Sequence, residues 1–319
     1  MSQNLLVING NEKNGVVISA GIYWNRSNWD KEVKCMKTTT KLRNLLKEDK
    51  LIVAPFILNA LHAKIAEEVG FEAVYMTGCG TAAERGFSDV GLLTMTEMVA
   101  NAKYIAQAVD IPVICDADTG YGNPINVRRT VREYEMAGVA GIHLEDQVFP
   151  KKCGFFEGKQ VIPMEEHVQK IKAALDARTD PDFVIIARCD AYAVTGWEDT
   201  VKRCKAYIEA GADLVFVDGI KSKEDIDKYA TDLKDMPRLY NGDLASTQEM
   251  NELGYKIMIC GSTIWLIYKQ VKDAFEELKS TGRVDPERYG TRWDVAGLMG
   301  LDEIYELESK FGSVEVTAD

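Results

Sequence analysis

The chain has 319 residues, 46% of them hydrophobic and 28% charged, with a formal net charge of −12. That length suits one large α/β domain or two smaller ones with a substantial core. With no basic surplus to neutralise phosphates, nucleic acid and anionic membrane surfaces are excluded as expected partners. An anionic small molecule is not, because a bound divalent cation inverts the local field.

Residues 1–45 come first and are read as an N-terminal extension of unassigned role, with two Trp-containing turns in YWNRSNWD and a basic patch near 32–43. The opening MSQNLLVINGNEKNG lacks a basic segment followed by an apolar one, so a secretory signal is not expected. No apolar run reaches the roughly 18 residues of a membrane span. The seven cysteines, at 35, 79, 115, 153, 189, 204 and 260, show no CxxC spacing. Free thiols in a reducing cytoplasm are the expectation.

From residue 50 onward, short apolar runs alternate with amphipathic stretches. The runs are 51–55, 72–76, 111–115, 141–145, 183–187, 213–217, 237–241 and 256–260. Segments 97–109, 125–137, 164–177, 197–210 and 222–232 read as helices between them. Several end in a Gly just before the next strand, as in EEVGFEAVYM, EMAGVAGIHL, IEAGADLVFV and NELGYKIMIC. Such a Gly supplies the left-handed cap of the helix. Eight helix–Gly–strand units predict parallel strands joined by crossovers, closed as a (β/α)₈ TIM barrel over 46–285. An open doubly wound sheet is the alternative, but no GxGxxG follows the first strand. Residues 262–311 are predicted helical, broken at RVDPERYG, and 286–319 are read as a tail packing on a neighbouring subunit.

In such a barrel, functional groups gather at the C-terminal ends of the strands. Those positions hold Tyr75, Thr77 and Gly78, then Asp116 and Asp118 in CDADTGYG, Glu145 in HLEDQ, Arg188 in ARCDA, and Asn241. Carboxylates at adjacent strand ends repel one another unless a hard cation sits among them, and Mg²⁺ prefers oxygen ligands. Arg188 beside them suits a bidentate carboxylate clamp, or a salt bridge to a barrel acid. After the fourth strand comes VFPKKCGFFEGKQVIP, where Cys153 follows two lysines. Nearby cations lower a thiol's pKa, so Cys153 is read as a proton-transfer group on a closing loop. The histidines do not cluster in sequence; His143 is read as structural, and a His-based metal site is not expected.

These pieces resemble the isocitrate lyase/phosphoenolpyruvate mutase superfamily across about residues 45–285, closest to its methylisocitrate lyase, 2,3-dimethylmalate lyase and oxaloacetate hydrolase branch. VYMTGCGTA, FSDVGLLTMTEM, CDADTGYGN, GIHLEDQVFPKKCG and IIARCDA carry the likeness. The resemblance implies a TIM barrel with a C-terminal helix exchanged between partners in a dimer of dimers, a homotetramer. It implies Mg²⁺, with Mn²⁺ as a substitute, bound directly by Asp116, its waters held by Asp89, Asp118 and Glu145. Tyr75, Thr77 and Gly78 match the segment that receives the 2-oxo acid portion, with Cys79 alongside, and Arg188 contacts that same portion. Cys153 matches the catalytic Cys of the lyase and hydrolase branches, followed by Gly154. The mutases lack it, so Cys153 favours carbon–carbon chemistry over phosphonate chemistry.

Two departures bear on substrate. Phe155 stands where family lyases have His, and RLYNGDLAS replaces a Glu-containing segment, putting Asn241 at the Glu position and Ser246 near a Pro position. Both remove a polar partner from the side receiving the second half of the substrate. A site lacking such partners rejects ligands that need them. The expected reaction is therefore Mg²⁺-dependent cleavage of a substituted malate rather than of isocitrate, yielding pyruvate or glyoxylate and a carboxylate. Ser246 keeps oxaloacetate hydrolysis as the alternative, with a phosphonate-type mutase behind it. A barrel that only binds a ligand is the non-enzymatic reading, and the intact acid set with Arg188 speaks against it.

Overall fold

The computed structural model describes residues 36–261 and 263–312. Most of the expected N-terminal extension thus lies outside the described residues. Its end does not: helix α1 (Thr38–Lys47) precedes the first strand, in the stretch read as lying outside the alternation.

Eight parallel strands follow: β1 (Ile52–Ile57), β2 (Val74–Met76), β3 (Val113–Asp116), β4 (Gly141–Glu145), β5 (Val184–Cys189), β6 (Leu214–Val217), β7 (Arg238–Asn241) and β8 (Ile257–Cys260). They hydrogen-bond in chain order, and β1 pairs with β8, so the barrel is closed as predicted. The connecting helices are α2 (Ala60–Val69), α3 (Gly78–Glu84), α4 (Met95–Ala108), α5 (Pro124–Ala137), α6 (Met164–Ala177), α7 (Trp197–Glu209), α8 (Lys223–Asp232) and α9 (Thr247–Glu252). The predicted capping glycines are in place: Gly70 and Gly138 end α2 and α5 at φ 101° and 90°. In that conformation a side chain would clash with its own carbonyl, so glycine is favoured.

Strand alternation sorts the core into two layers. Ile52, Ala54, Tyr75, Ile114, Val184, Ile186, Leu214, Phe216, Leu239, Ile257 and Ile259 fill the barrel interior. Their sequence neighbours, such as Val113, Cys115, Ile142, Ile185 and Val215, pack under the helices. Leu42 of α1, fully buried, belongs to the interior cluster. Helix α1 therefore closes the end of the barrel where the strands begin. Arg43 fastens it, giving its guanidinium to both oxygens of Asp213 at 2.6 and 2.8 Å and to the carbonyls of Asp182 and Phe183.

After β8 come α10 (Thr263–Thr281), α11 (Arg292–Leu298) and α12 (Leu301–Phe311), broken near RVDPERYG as predicted. None of these three helices buries a described residue. No helix among the described residues is long and apolar enough to cross a membrane.

Replacing Arg43 with Ala should lower unfolding free energy by about 1–3 kcal/mol, since Asp213 Oδ1 loses its guanidinium partner and Oδ2 keeps only Arg178 and the Ile185 N–H. Urea unfolding of the variant against the parent checks this; an unchanged midpoint would mean that the Arg43 clamp contributes nothing to stability.

Candidate active site

The alternation that fills the barrel also builds the site. Ile114 faces inward, so Asp116 two residues on does too. Phe216 is followed by Asp218, Leu239 by Asn241, and Ile186 by Arg188 and then Asp190. His143 and Glu145 share the inward face of β4. Period-two geometry thus converts an apolar barrel axis into a polar mouth where the strands end.

Arg188 lies at the centre, 6% exposed. Its Nε donates to Asp190 Oδ2 at 2.8 Å, and its Nη2 to Asp218 Oδ2 at 2.7 Å and Asp190 Oδ1 at 3.1 Å. The Nε also stands 3.2 Å from Glu145 Oε2, but without the direction of a hydrogen bond. Nη1 takes no part in these bonds. Asn241 joins the cluster by donating its amide to Asp218 Oδ1 at 3.0 Å.

The acids expected to hold a cation lie on the same mouth, although among the described residues no three of them bring their oxygens within 4.8 Å of one another. Asp116 accepts from the Gly78 N–H at 3.2 Å and from the Asp118 N–H at 2.9 Å. A Cβ on Gly78 would come within 2.4 Å of Asp116 Oδ2, so only glycine lets this turn approach. Asp118 adopts φ 45°, a left-handed conformation that Asp tolerates better than most residues. Lys151, 2% exposed, places its ammonium 2.5 Å from Asp89 Oδ1 and 2.9 Å from Asp118 Oδ1. Burial works to strip this proton, but Asp118, Glu145, Asp116 and Asp89 outweigh it and hold Lys151 charged.

The charges do not balance. Asp89, Asp116, Asp118, Glu145, Asp190 and Asp218 are six buried carboxyl groups, facing four buried cations, Lys151, Lys159, Arg188 and, near Glu145, Lys170, so the acids outnumber the cations by two. Burial pushes Asp118 up to about 6 and Glu145 well above its ordinary value. Glu145 Oε1 is buried with no hydrogen-bond partner. Unpaired buried carboxylate oxygens are costly, and a hard divalent cation is the partner that suits them.

The loop after β4 lies over this cluster. The Cys153 N–H donates to the Asp89 carbonyl at 3.0 Å. Lys159 bonds the Gly154 carbonyl at 2.6 Å and Asp190 at 3.1 Å, while Gln147 brackets the Lys152 backbone. Gly154 sits so close that a Cβ would stand 1.5 Å from Asp218 Oδ2. The flanking lysines were expected to lower the Cys153 pKa; instead its thiol is pushed up, by its hydrogen bond to Cys79 and by burial. Lys151 turns away to the acids, so its charge does not activate the sulfur.

Tyr75, Thr77, Gly78, Cys79, Asp89, Asp116, Asp118, Glu145, Cys153, Gly154, Arg188 and Asn241 are thus brought to one mouth. Ser246 is not tied to them: it is exposed and forms the capping box of α9 with Glu249. Thr77 similarly caps α3 through the Gly80 N–H. Phe155 is 53% exposed and does not fill the site.

Sequence reasoning missed His143, Lys151, Lys159, Asp190 and Asp218. His143 Nε2 lies 2.8 Å from the Tyr75 hydroxyl, and burial lowers its pKa to about 4, leaving the ring neutral. The signal was available for His143 and Asp218, which continue an inward-facing alternation. For the two lysines it was not, because only the folded loop turns them inward.

A family model described as phosphoenolpyruvate phosphomutase matches residues 42–279. The chain belongs to the PEP mutase/isocitrate lyase superfamily. Within it, the chain is 44% identical to the 2,3-dimethylmalate lyase of Eubacterium barkeri over 287 residues, covering 87% of this chain and 99% of that one. A solved structure of oxaloacetate acetylhydrolase with the inhibitor 3,3-difluorooxalacetate superposes at TM-score 0.83 and 36% identity, covering 87% of this chain and 98% of the other. Phosphonopyruvate hydrolase in complex with oxalate and Mg²⁺ follows at TM-score 0.81 and 29% identity, over 87% and 100% of the two chains.

Replacing Gly154 with Ala should lift the loop from Arg188 and Asp218, lowering kcat on the order of 100-fold, while the thermal midpoint stays near that of the parent. Faster tryptic cleavage after Lys151 or Lys152 is the structural readout.

Proposed function

We propose that the protein is a Mg²⁺-dependent carbon–carbon lyase that splits a substituted malate, of the 2,3-dimethylmalate type, into a 2-oxo acid and a carboxylate. The observation carrying this reading is the uncompensated buried carboxylate cluster with Arg188 on one side and the Cys153 loop on the other. The likeness to 2,3-dimethylmalate lyase over nearly the whole of that protein supports the substrate class.

Asp116 is the direct ligand in this reading, and Asp89, Asp118 and Glu145 orient the ion's waters. Mn²⁺ satisfies the same oxygen set. The ion, when bound, supplies positive charge to the carboxylate and 2-oxygen of the substrate. Arg188 Nη1, outside the bonds to Asp190 and Asp218, is the donor for the substrate carboxylate. The backbone beside Thr77, Gly78 and Cys79 lines the same end, and the Gly154 and Asn241 side faces the departing half. Ser246, committed to its helix cap, acts on that side only by holding the start of α9.

A base at the mouth takes the substrate's hydroxyl proton, while Tyr75, held by neutral His143 2.8 Å away, orients that oxygen. The C2–C3 bond then breaks as in a retro-aldol reaction, and its electron pair goes to the departing half. Cys153, kept protonated by its surroundings, returns a proton to that carbon. For 2,3-dimethylmalate the products are pyruvate and propionate. Lys159 and Gln147 hold the loop closed and keep water from taking the donor's place.

Oxaloacetate hydrolysis is the second reading, favoured by the fold match to the acetylhydrolase. A phosphonate-type mutase is disfavoured by the thiol on the loop.

The tail belongs to assembly. Trp265, Leu266, Tyr268, Phe275 and Trp293 are each at least 60% exposed on helices that bury nothing of their own. Apolar surface on this scale suits packing on a second copy, here in a dimer of dimers. With the unpaired thiols, a reducing cytoplasm fits best.

A panel of alkylmalates and oxaloacetate, assayed with and without EDTA, tests the reading. Pyruvate release from an alkylmalate, abolished by EDTA and restored by Mg²⁺, is expected. Oxalate and acetate from oxaloacetate, with no alkylmalate turnover, would select the hydrolase instead.

Cys153→Ser should lower kcat by about 10²–10⁴ while the affinity for oxalate, measured by calorimetry with Mg²⁺ present, changes little. Near-full turnover in that variant would remove Cys153 from the chemistry.

A further inference from the structure

Two thiols from separate parts of the chain meet at the barrel mouth. Cys79 lies in the first turn of α3, just after the Thr77–Gly78 segment. Cys153 rides on the loop after β4. Their sulfurs and a carboxylate oxygen of Asp89 all lie within 4.8 Å of one another. Both cysteines are partly exposed, whereas Cys115, Cys189 and Cys204 are at 0% exposure. A small oxidant therefore reaches this pair before the core thiols.

We propose that Cys79 and Cys153 form an oxidisable dithiol, which a hydroperoxide closes into a disulfide that takes Cys153 out of use and pins the loop to α3. Closing the bond needs the sulfurs to approach to about 2.05 Å, a movement of under about 3 Å from their present limit. Cys79, whose thiol the lyase chemistry leaves unused, is the one that reacts first. Its thiolate attacks one peroxide oxygen and the O–O bond breaks. The products are a sulfenic acid on Cys79 and the alcohol, or water if the oxidant is hydrogen peroxide. The Cys153 sulfur, losing its proton, then attacks the Cys79 sulfur and expels water. Two thiols are oxidised by two electrons and one peroxide is reduced. Thiol–disulfide exchange reverses the change.

The loss of activity rests on the role given above to Cys153, but the cross-link does not, and the experiment separates them. The full chain is treated with one equivalent of hydrogen peroxide, alkylated without reduction, digested and mapped by mass. The expected product is a Cys79–Cys153 linked peptide, 2 Da below the sum of the two thiol peptides. Its yield should track a loss of activity of tenfold or more, and dithiothreitol should restore both. In Cys79→Ser, whatever its starting rate, the linked peptide should be absent. With peroxide raised to several equivalents, Cys153 of that variant should advance through the sulfenic to the sulfinic acid, so thiol no longer rescues the lost fraction. Phenylarsine oxide, which bridges paired thiols, should protect both cysteines of the untreated parent from alkylation without any variant. Cys153 recovered from the parent as sulfinic acid, or joined to another cysteine, would overturn the proposal. So would free alkylation of both thiols after the arsenical. A linked peptide with unchanged activity would overturn the sequestration of a working group, and with it the catalytic role of Cys153.

Discussion

The site depends on an electrostatic imbalance. Six carboxyl groups converge where the strands end, and Arg188, Lys151, Lys159 and Lys170 are too few to answer all of them. Each acid is tolerable alone at a solvated surface; buried together they are not. The fold keeps them because a barrel mouth fixes strand ends rigidly enough that the acids cannot relax apart. The resulting demand for positive charge is what selects a hard cation and, beyond it, an oxygen-rich anion.

The same demand explains the loop. Lys151 and Lys159 run in opposite directions into the acids, Lys151 toward Asp89 and Asp118, Lys159 toward Asp190. Cys153 and Gly154 lie between these anchors and are carried over the mouth. The loop is held by charge at both ends and needs no apolar packing of its own, which is consistent with Phe155 and Phe156 standing half exposed. The departure at Phe155 therefore acts by removing a polar group from the loop rather than by filling space inside the site. Asn241 has the better-defined part, since its amide takes Asp218 Oδ1 while Arg188 Nη2 takes Oδ2.

The eight strands, their order and the crossover helices were legible because parallel barrel strands are buried on both sides, so each reads as a short apolar run, several of them preceded by the glycine that caps the helix before. Most of the site was legible for a related reason. Asp116, Glu145, Arg188 and Asn241 interrupt or end those runs, and position along a strand fixes which way a side chain points. The motifs in CDADTGYG and GIHLEDQVFPKKCG added the family, which periodicity alone would not have supplied. Helix α1 was missed because its ties to Asp180, Asp182 and Asp213 are more than a hundred residues distant in sequence.

By itself, then, the sequence determined the barrel, the acids at its mouth and the thiol loop, because each is written in local spacing. The tertiary structure alone decided the protonation and partners. It turned Lys151 away from Cys153 and into the carboxylates, set neutral His143 against Tyr75, and brought Cys79 beside Cys153. Those outcomes depend on burial and on contacts between distant segments, and neither quantity exists in the chain until it folds.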